Sequence, residues 1–215
     1  MKKNIAFLIF SLIFLNSCIT IYEEINVNSD GSGKVKLKID LGKIGSNLNN
    51  QTSGIDMSFI TKIKQFPVSA SNILKSCKGI SNINPETDDK KGVYSLSFDF
   101  KNGSDLNKAV YMFFGHKKKF YEPSFIKISG SYLKKKNIAP ILKKVVSQQQ
   151  KENKGFTDLM FPFISLKSTY RLPSEVKKVS NIKAVTDLNK KTVTTEFTLE
   201  ELIKTKFDFG IRIKY

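Results

Sequence analysis

Residues 19–41 constrain the fold more than any other stretch, because they hold two alternating segments joined by a tight turn. Both ITIYEEINV (19–27) and KVKLKIDL (34–41) alternate apolar and polar side chains. This period of two is typical of β-strands that bury one face. Between them, Asp30-Gly31 supplies the positive φ that a tight hairpin requires. The sequence therefore predicts an antiparallel hairpin with one buried and one solvent-exposed face.

The rest of the chain continues this pattern with interspersed helices. Further strands are predicted near residues 79–84, 93–100, 124–133, 166–172, 179–186, 191–198 and 206–215. Apolar residues at helical spacing predict helices near 55–66, 70–77, 104–113 and 137–151. Because the strands alternate rather than being continuously apolar, we expect antiparallel pairing. The predicted class is α+β, with an antiparallel sheet or sheets of about eight or nine strands packed against three to four helices.

The first eighteen residues, MKKNIAFLIFSLIFLNSC, have the layout of an export signal. Two lysines precede an apolar run at 5–15, which is too short to span a bilayer, since a span needs roughly 20 residues. The segment LNSC (15–18) resembles a lipobox, in which the cysteine carries diacylglycerol as a thioether. We predict a signal peptide at residues 1–17, lipidation of Cys18, and a single globular envelope domain at residues 18–215. The competing interpretations are an ordinary secretory signal and an uncleaved N-terminal anchor.

The chain is strongly basic, with a formal net charge of +17. Two lysine triplets flank the predicted strand at 124–133, and clustered lysines attract anionic head groups. We predict an anionic-surface contact by Lys117, Lys118, Lys119, Lys134, Lys135 and Lys136. The competing interpretation is a pair of solvated loops, since the charge is spread along the whole chain. An exported protein does not meet nucleic acid, so none is expected as a partner.

The sequence favours a protein that is not an enzyme. His116 is the only histidine, and Cys77 is the only cysteine besides Cys18. A catalytic triad, a zinc site or a disulfide framework would need more of these residues. There is no phosphate-binding loop and no dinucleotide fingerprint. We therefore expect no cofactor and no metal ion, and we expect Cys77 to be a small buried apolar side chain.

The order of these features resembles a group of uncharacterised bacterial lipoproteins. In that group a lipidated cysteine leads directly into a hairpin with a DGSG-type turn, as Cys18 and residues 30–33 do here. The segment LPSEV (172–176) and the following strand at 191–193 look like the C-terminal part of LppM-like lipoprotein domains. The resemblance implies an antiparallel sheet against helices and a role in binding lipid or glycolipid.

These observations predict a membrane-anchored protein of the bacterial cell envelope, at the periplasmic or surface side of the outer membrane. It would bind a lipid, a glycolipid or an envelope partner; the identity of a protein partner is not encoded in any motif. The alternative is a structural or protein-interaction lipoprotein (a scaffold or adhesin), and a hydrolase is the third hypothesis. The apolar loop GFTDLMFPF (155–163) is predicted to pack into the core, with a membrane-dipping loop as its alternative.

Overall fold

A computed structural model of the protein describes residues 19–42, 57–152, 163–205 and 207–215. The strands are β1 Ile19–Val27, β2 Gly33–Asp40, β3 Ile80–Asp88, β4 Val93–Phe100, β5 Ile126–Ser129, β6 Tyr132–Lys135, β7 Ile164–Arg171, β8 Lys178–Val179, β9 Val185–Thr186, β10 Thr192–Thr198 and β11 Ile211–Lys214. The helices are α1 Met57–Leu74, α2 Gly103–Phe113, α3 Ala139–Glu152 and α4 Leu199–Lys204. The predicted signal peptide, Cys18 and all of the loop at 155–163 except Phe163 lie outside the described residues.

The larger sheet, sheet A, has the strand order β3-β4-β2-β1-β7-β10-β9. The predicted hairpin of β1 and β2 is confirmed, with Gly31 at φ +81° and the Asp30 carboxylate accepting from the Ser32 backbone N–H at 2.9 Å. The prediction of purely antiparallel sheets is wrong at one pair, because β1 and β7 run parallel. Alternation in a strand reports which face is buried but carries no information on the direction of its neighbour.

The smaller sheet, sheet B, has the order β5-β6-β11-β8 and is antiparallel throughout. The single strand predicted at 124–133 is instead the hairpin of β5 and β6, which turns at Gly130. The strand predicted at 179–186 is divided between β8 in one sheet and β9 in the other. The described residues therefore form eleven strands rather than eight or nine. The α+β class is confirmed, and the four described helices agree with the predicted three to four.

Packing and capping move three helix and strand boundaries from their predicted places. Helix α1 runs through Pro67 and joins the two helices predicted near 55–66 and 70–77, because Ile63 and Ala70 on either side are buried against the sheet. Helix α2 begins at Gly103, one residue before its predicted start, because Asn102 caps it: the Asn102 side chain accepts from the Asp105 N–H at 3.0 Å. Strand β3, predicted to end near residue 84, continues through polar residues to Asp88, which an edge strand tolerates.

The inner face of sheet A, which carries the apolar residues of its strands, holds the core in two clusters. One surrounds Ile25 and Phe98 and includes Leu133 of sheet B. The other surrounds Ile19 and contains residues of α1, α3 and α4. Cys77 belongs to the first cluster and is 7% exposed, so its predicted burial is confirmed, and its thiol is free. Burial, together with the nearby Asp105 charge, raises the pKa of its thiol and disfavours the reactive thiolate.

Candidate functional site

A cluster of polar side chains interrupts the inner face of sheet A between the two apolar clusters. The strand register places Glu23 of β1 beside Ser168 of β7, and Ser168 beside Thr195 of β10. Glu23 is in phase with Ile25, which is 1% exposed, so the carboxylate points into the domain. Lys135 of β6 reaches across from sheet B and forms an ion pair with Glu23. The two sheets are therefore linked by a charge pair at the centre of the inner face.

This ion pair is largely removed from solvent. The side chain of Lys135 is 14% exposed and that of Glu23 is 22% exposed. Ser168 Oγ donates to Glu23 Oε2 at 3.0 Å. Burial alone lowers the pKa of Lys135, but the charge of Glu23 and the hydroxyl of Tyr170 raise it above the ordinary lysine value. Lys135 therefore stays charged throughout the neutral range.

Beside this polar cluster, the described residues leave part of the inner face exposed. Ile21 lies on β1 between β2 and β7, yet it is 37% exposed. Its register neighbours Ile39 and Leu166 are half-buried. Helix α1 packs on β3 and β4, whereas α4 packs on β7 and β10. In the strand order, β1 and β2 lie between these two helices, and α3 adds Ala139 and Leu142 to the cluster around Ile19.

We call this partly exposed apolar surface of the described strands the central groove. Its floor consists of Ile21, Leu37, Ile39 and Leu166, and the Glu23–Lys135 pair lies at one end. Ile21 and Glu23 are two residues apart on β1, so the exposed isoleucine lies about 7 Å from the charged pair along the strand, at roughly 3.3 Å per residue. Ligand sites typically combine an apolar lining with a few placed polar groups. The central groove has this arrangement and is chemically suited to an amphipathic molecule.

The lysines grouped from the sequence separate in the structure. Lys117 and Lys119 are exposed in the loop between α2 and β5, whereas the Lys118 Nζ donates to the Glu122 carbonyl at 2.9 Å. Lys134 and Lys136 are exposed on the outside of sheet B. The side chain of Lys135 instead points inward to Glu23, because Lys135 lies on the same strand face as the buried Leu133. Lys135 is therefore not available for the predicted anionic-surface contact. The anionic-surface contact of the other five lysines stays a prediction.

The central polar pair was missed from the sequence, although a signal for it is present. Glu23 occupies the apolar phase of its strand together with Ile21 and Ile25, and Lys135 occupies the phase of Leu133. A charge on the apolar phase of a strand indicates a buried partner. Within the described parts of the chain, no three His, Cys, Asp or Glu side chains are placed to hold a metal ion. None of the helices in those parts is long and apolar enough to cross a membrane.

Comparison with known proteins finds distant similarity to solved structures. No protein-family model matches the chain, and no curated protein matches its sequence. Among solved structures, the chain is similar to the NMR structure of the folded domain of LppM from Mycobacterium tuberculosis. The two are 9% identical, the match covers 93% of this chain and 90% of that chain, and the TM-score is 0.42. Membership of a lipoprotein family stays a prediction.

Proposed function

We propose that the protein is a lipid-anchored, non-enzymatic protein of the cell envelope that binds an amphipathic lipid in the central groove. The observation that carries this proposal is the 37% exposure of Ile21 on a central strand of a seven-stranded sheet. A strand flanked on both sides normally buries its apolar face under helices. An apolar side chain left open at that position, next to a charged pair, favours a ligand as its cover.

Both parts of an amphipathic lipid find complementary groups in the groove. Fully burying an isoleucine contributes about 1.5–3 kcal/mol, so covering the exposed third of Ile21 contributes about 0.5–1 kcal/mol. An acyl chain would also cover the half-buried Ile39 and Leu166. The ammonium of Lys135 has three donors, and Glu23 and Tyr170 are its partners in the domain. The remaining donor is suited to a phosphate or carbonyl oxygen of the head group.

The predicted anchor supports this function by its position. Strand β1 begins at Ile19, which is 1% exposed, directly after the predicted lipidation site Cys18. Ile21 is three residues from Cys18, which is about 10 Å of extended chain. A bilayer that holds the lipidated cysteine would therefore lie next to one end of the central groove. A lipid can then enter the groove without crossing bulk water.

The test is to identify lipids that co-purify with the protein. The full chain, the Ile21→Gln variant and the Val185→Gln variant are purified from membranes in detergent, and bound lipid is quantified by mass spectrometry. Val185 is 69% exposed on the edge strand β9, so it is a matched apolar-to-polar change outside the groove. We expect a stoichiometric lipid with the wild type and Val185→Gln, and a loss with Ile21→Gln. Equal lipid content in all three, or none in the wild type, would overturn the proposal.

A second candidate is a protein-interaction lipoprotein, and one surface favours it. Ile182, Val185 and Leu188 are 87%, 69% and 102% exposed, and they lie along or beside the edge strand β9. An exposed strand edge with apolar side chains is suited to pairing with another chain. Cross-linking in cells that recovers one stoichiometric partner, lost in Val185→Gln but kept in Ile21→Gln, would favour this candidate.

A further inference from the structure

The outer face of sheet B, on the side away from sheet A, is lined by cations. Strand register places Lys127 of β5 beside Lys134 of β6, and Lys134 beside Arg212 of β11. The next row places Lys214 beside Lys178 of β8. All five side chains are exposed. We call this set of Lys127, Lys134, Lys178, Arg212 and Lys214 the cationic face.

The cationic face lacks compensating charges. The other outward positions of the four strands are held by Ser129 and Tyr132, so these positions include no carboxylate. In the described portion of the chain, none of the five cations forms an ion pair. Like charges directly opposite each other on neighbouring strands destabilise a sheet. The arrangement therefore costs stability in the isolated protein and becomes favourable against an anionic surface.

An exposed aromatic pair lies in the loop that leads into this sheet. Phe120 is 97% exposed and Tyr121 is 65% exposed, and their rings are 5.3 Å apart in an edge-to-face arrangement. Lys117 and Lys119 are exposed beside them. We call Phe120 and Tyr121 the aromatic tip. The loop continues directly into β5, the edge strand that contributes Lys127 to the cationic face.

The base of this loop is held in place by many contacts. Glu122 accepts from the Lys119 N–H at 2.6 Å, and its other carboxylate oxygen lies 2.9 Å from His116 Nε2. The Tyr111 hydroxyl donates to the Pro123 carbonyl at 2.8 Å, and its ring lies 5.3 Å from that of His116. The aromatic tip is therefore presented on a structured loop, although it contacts little of the domain itself.

We propose that the cationic face and the aromatic tip dock together on the surface of an anionic lipid membrane. Lysine and arginine contribute electrostatic attraction to anionic head groups, and aromatic side chains insert at the interface between head groups and acyl chains. The aromatic tip favours a membrane over a soluble polyanion, because a polyanion offers no apolar region for Phe120. This docking adds a second surface to the proposed envelope location and does not depend on a ligand in the central groove.

The absence of tryptophan from the chain makes a direct test possible. In the full chain, Phe120→Trp creates a single fluorescent reporter, and Leu188→Trp is the matched control because Leu188 is 102% exposed on the β9–β10 turn. Each protein is reconstituted from detergent into phosphatidylcholine vesicles with or without phosphatidylglycerol, using brominated acyl chains as quenchers. We expect a blue shift and strong quenching for Phe120→Trp with phosphatidylglycerol, and little for Leu188→Trp.

A triple variant tests the role of the cationic face. Lys127→Ser, Lys134→Ser and Arg212→Ser are introduced together into the Phe120→Trp protein. Each cation near an anionic surface contributes roughly a fivefold factor, so their joint loss shifts the docking equilibrium about a hundredfold and removes most of the quenching. Salt that screens surface charge should have the same effect.

Several results would overturn the proposal. These are equal quenching in neutral vesicles, equal quenching of the Leu188→Trp control, no effect of the triple variant, or a blue shift with soluble heparin in the absence of vesicles. Urea unfolding of the triple variant checks that it is folded. The lipid content of the central groove is measured separately by mass spectrometry, so loss of docking is distinguishable from loss of the proposed ligand.

Discussion

The Glu23–Lys135 pair gives a sharp prediction about stability. Replacing Lys135 with methionine keeps the length of the side chain and removes its charge. The Glu23 carboxylate then keeps Ser168 as a donor at 3.0 Å but loses its counter-ion, and Tyr170 loses its cationic neighbour. We expect a marked loss of stability, since an unpaired carboxylate is left at the centre of the inner face.

The size of this effect follows from the burial of the pair. Removing one partner of a fully buried ion pair costs about 3–5 kcal/mol. Here the side chains are 14% and 22% exposed, so water reaches them in part. The cost should be smaller, at about 2–3 kcal/mol of the free energy of unfolding. A second change, Glu23→Gln, removes the unpaired carboxylate charge and should restore about half of the lost free energy of unfolding.

The assay is urea unfolding of the wild type and the variants at pH 7, followed by circular dichroism. Lys134→Met is the matched control, because Lys134 is the preceding residue of β6 and points outward without an ion pair. We expect Lys134→Met to change the free energy of unfolding by less than about 0.5 kcal/mol. A Lys135→Met protein as stable as the wild type would refute a stabilising role for the pair. Equal losses of stability in Lys135→Met and Lys134→Met would show that replacing either lysine of β6 destabilises the protein, and that the ion pair is not the cause.

Three further predictions test other parts of the structure. Lys134→Glu places a carboxylate between Lys127 and Arg212, so the free energy of unfolding should rise by about 0.5 kcal/mol. The same change should reduce the quenching of the Phe120→Trp reporter by anionic vesicles. A change in only one of the two measurements would contradict this prediction. Gly33→Ala brings a Cβ against the Asn26 carbonyl and within 2.6 Å of the Phe100 ring, so it should cost about 3 kcal/mol in urea unfolding. Gly130→Ala, with nothing within 4 Å, is its near-neutral control. Burial raises the pKa of Tyr94, Tyr111, Tyr170 and Tyr215, and Glu23 raises that of Lys135. Above about pH 10 the unfolded chain loses these protons while the folded chain keeps them, so stability should fall as pH rises from 10 to 11; a constant stability there would contradict these shifts.

Local patterns in the sequence predict local structure well. The alternation at 19–41 and the Asp30-Gly31 turn predict the hairpin of β1 and β2, because both strand faces and the turn are encoded within about twenty residues. The burial of Cys77 also follows from its apolar neighbours. The division of 124–133 into two strands escapes the same reasoning, since four-residue strands are too short to show a period.

Long-range pairing is the part that the sequence does not reveal. Strand β7 lies beside β1 in parallel although more than a hundred residues separate them, and no local pattern specifies that neighbour. The central groove depends on this placement, because Leu166 of β7 lies beside Ile21 of β1 in the register. The cationic face likewise depends on the register among four strands. Each of its cations is an ordinary outward-facing residue of an alternating strand when it is considered alone.

The central claim is that an amphipathic lipid lies on the floor of the central groove. The most direct measurement is methyl NMR of residues 18–215, the predicted mature chain, titrated with a short-chain anionic phospholipid below its micelle concentration. We predict saturable shifts of the Ile21, Ile39 and Leu166 methyl resonances, with Val185 unchanged. Shifts confined to Val185 and other surface methyl groups, with Ile21 unaffected at saturating lipid, would contradict the claim.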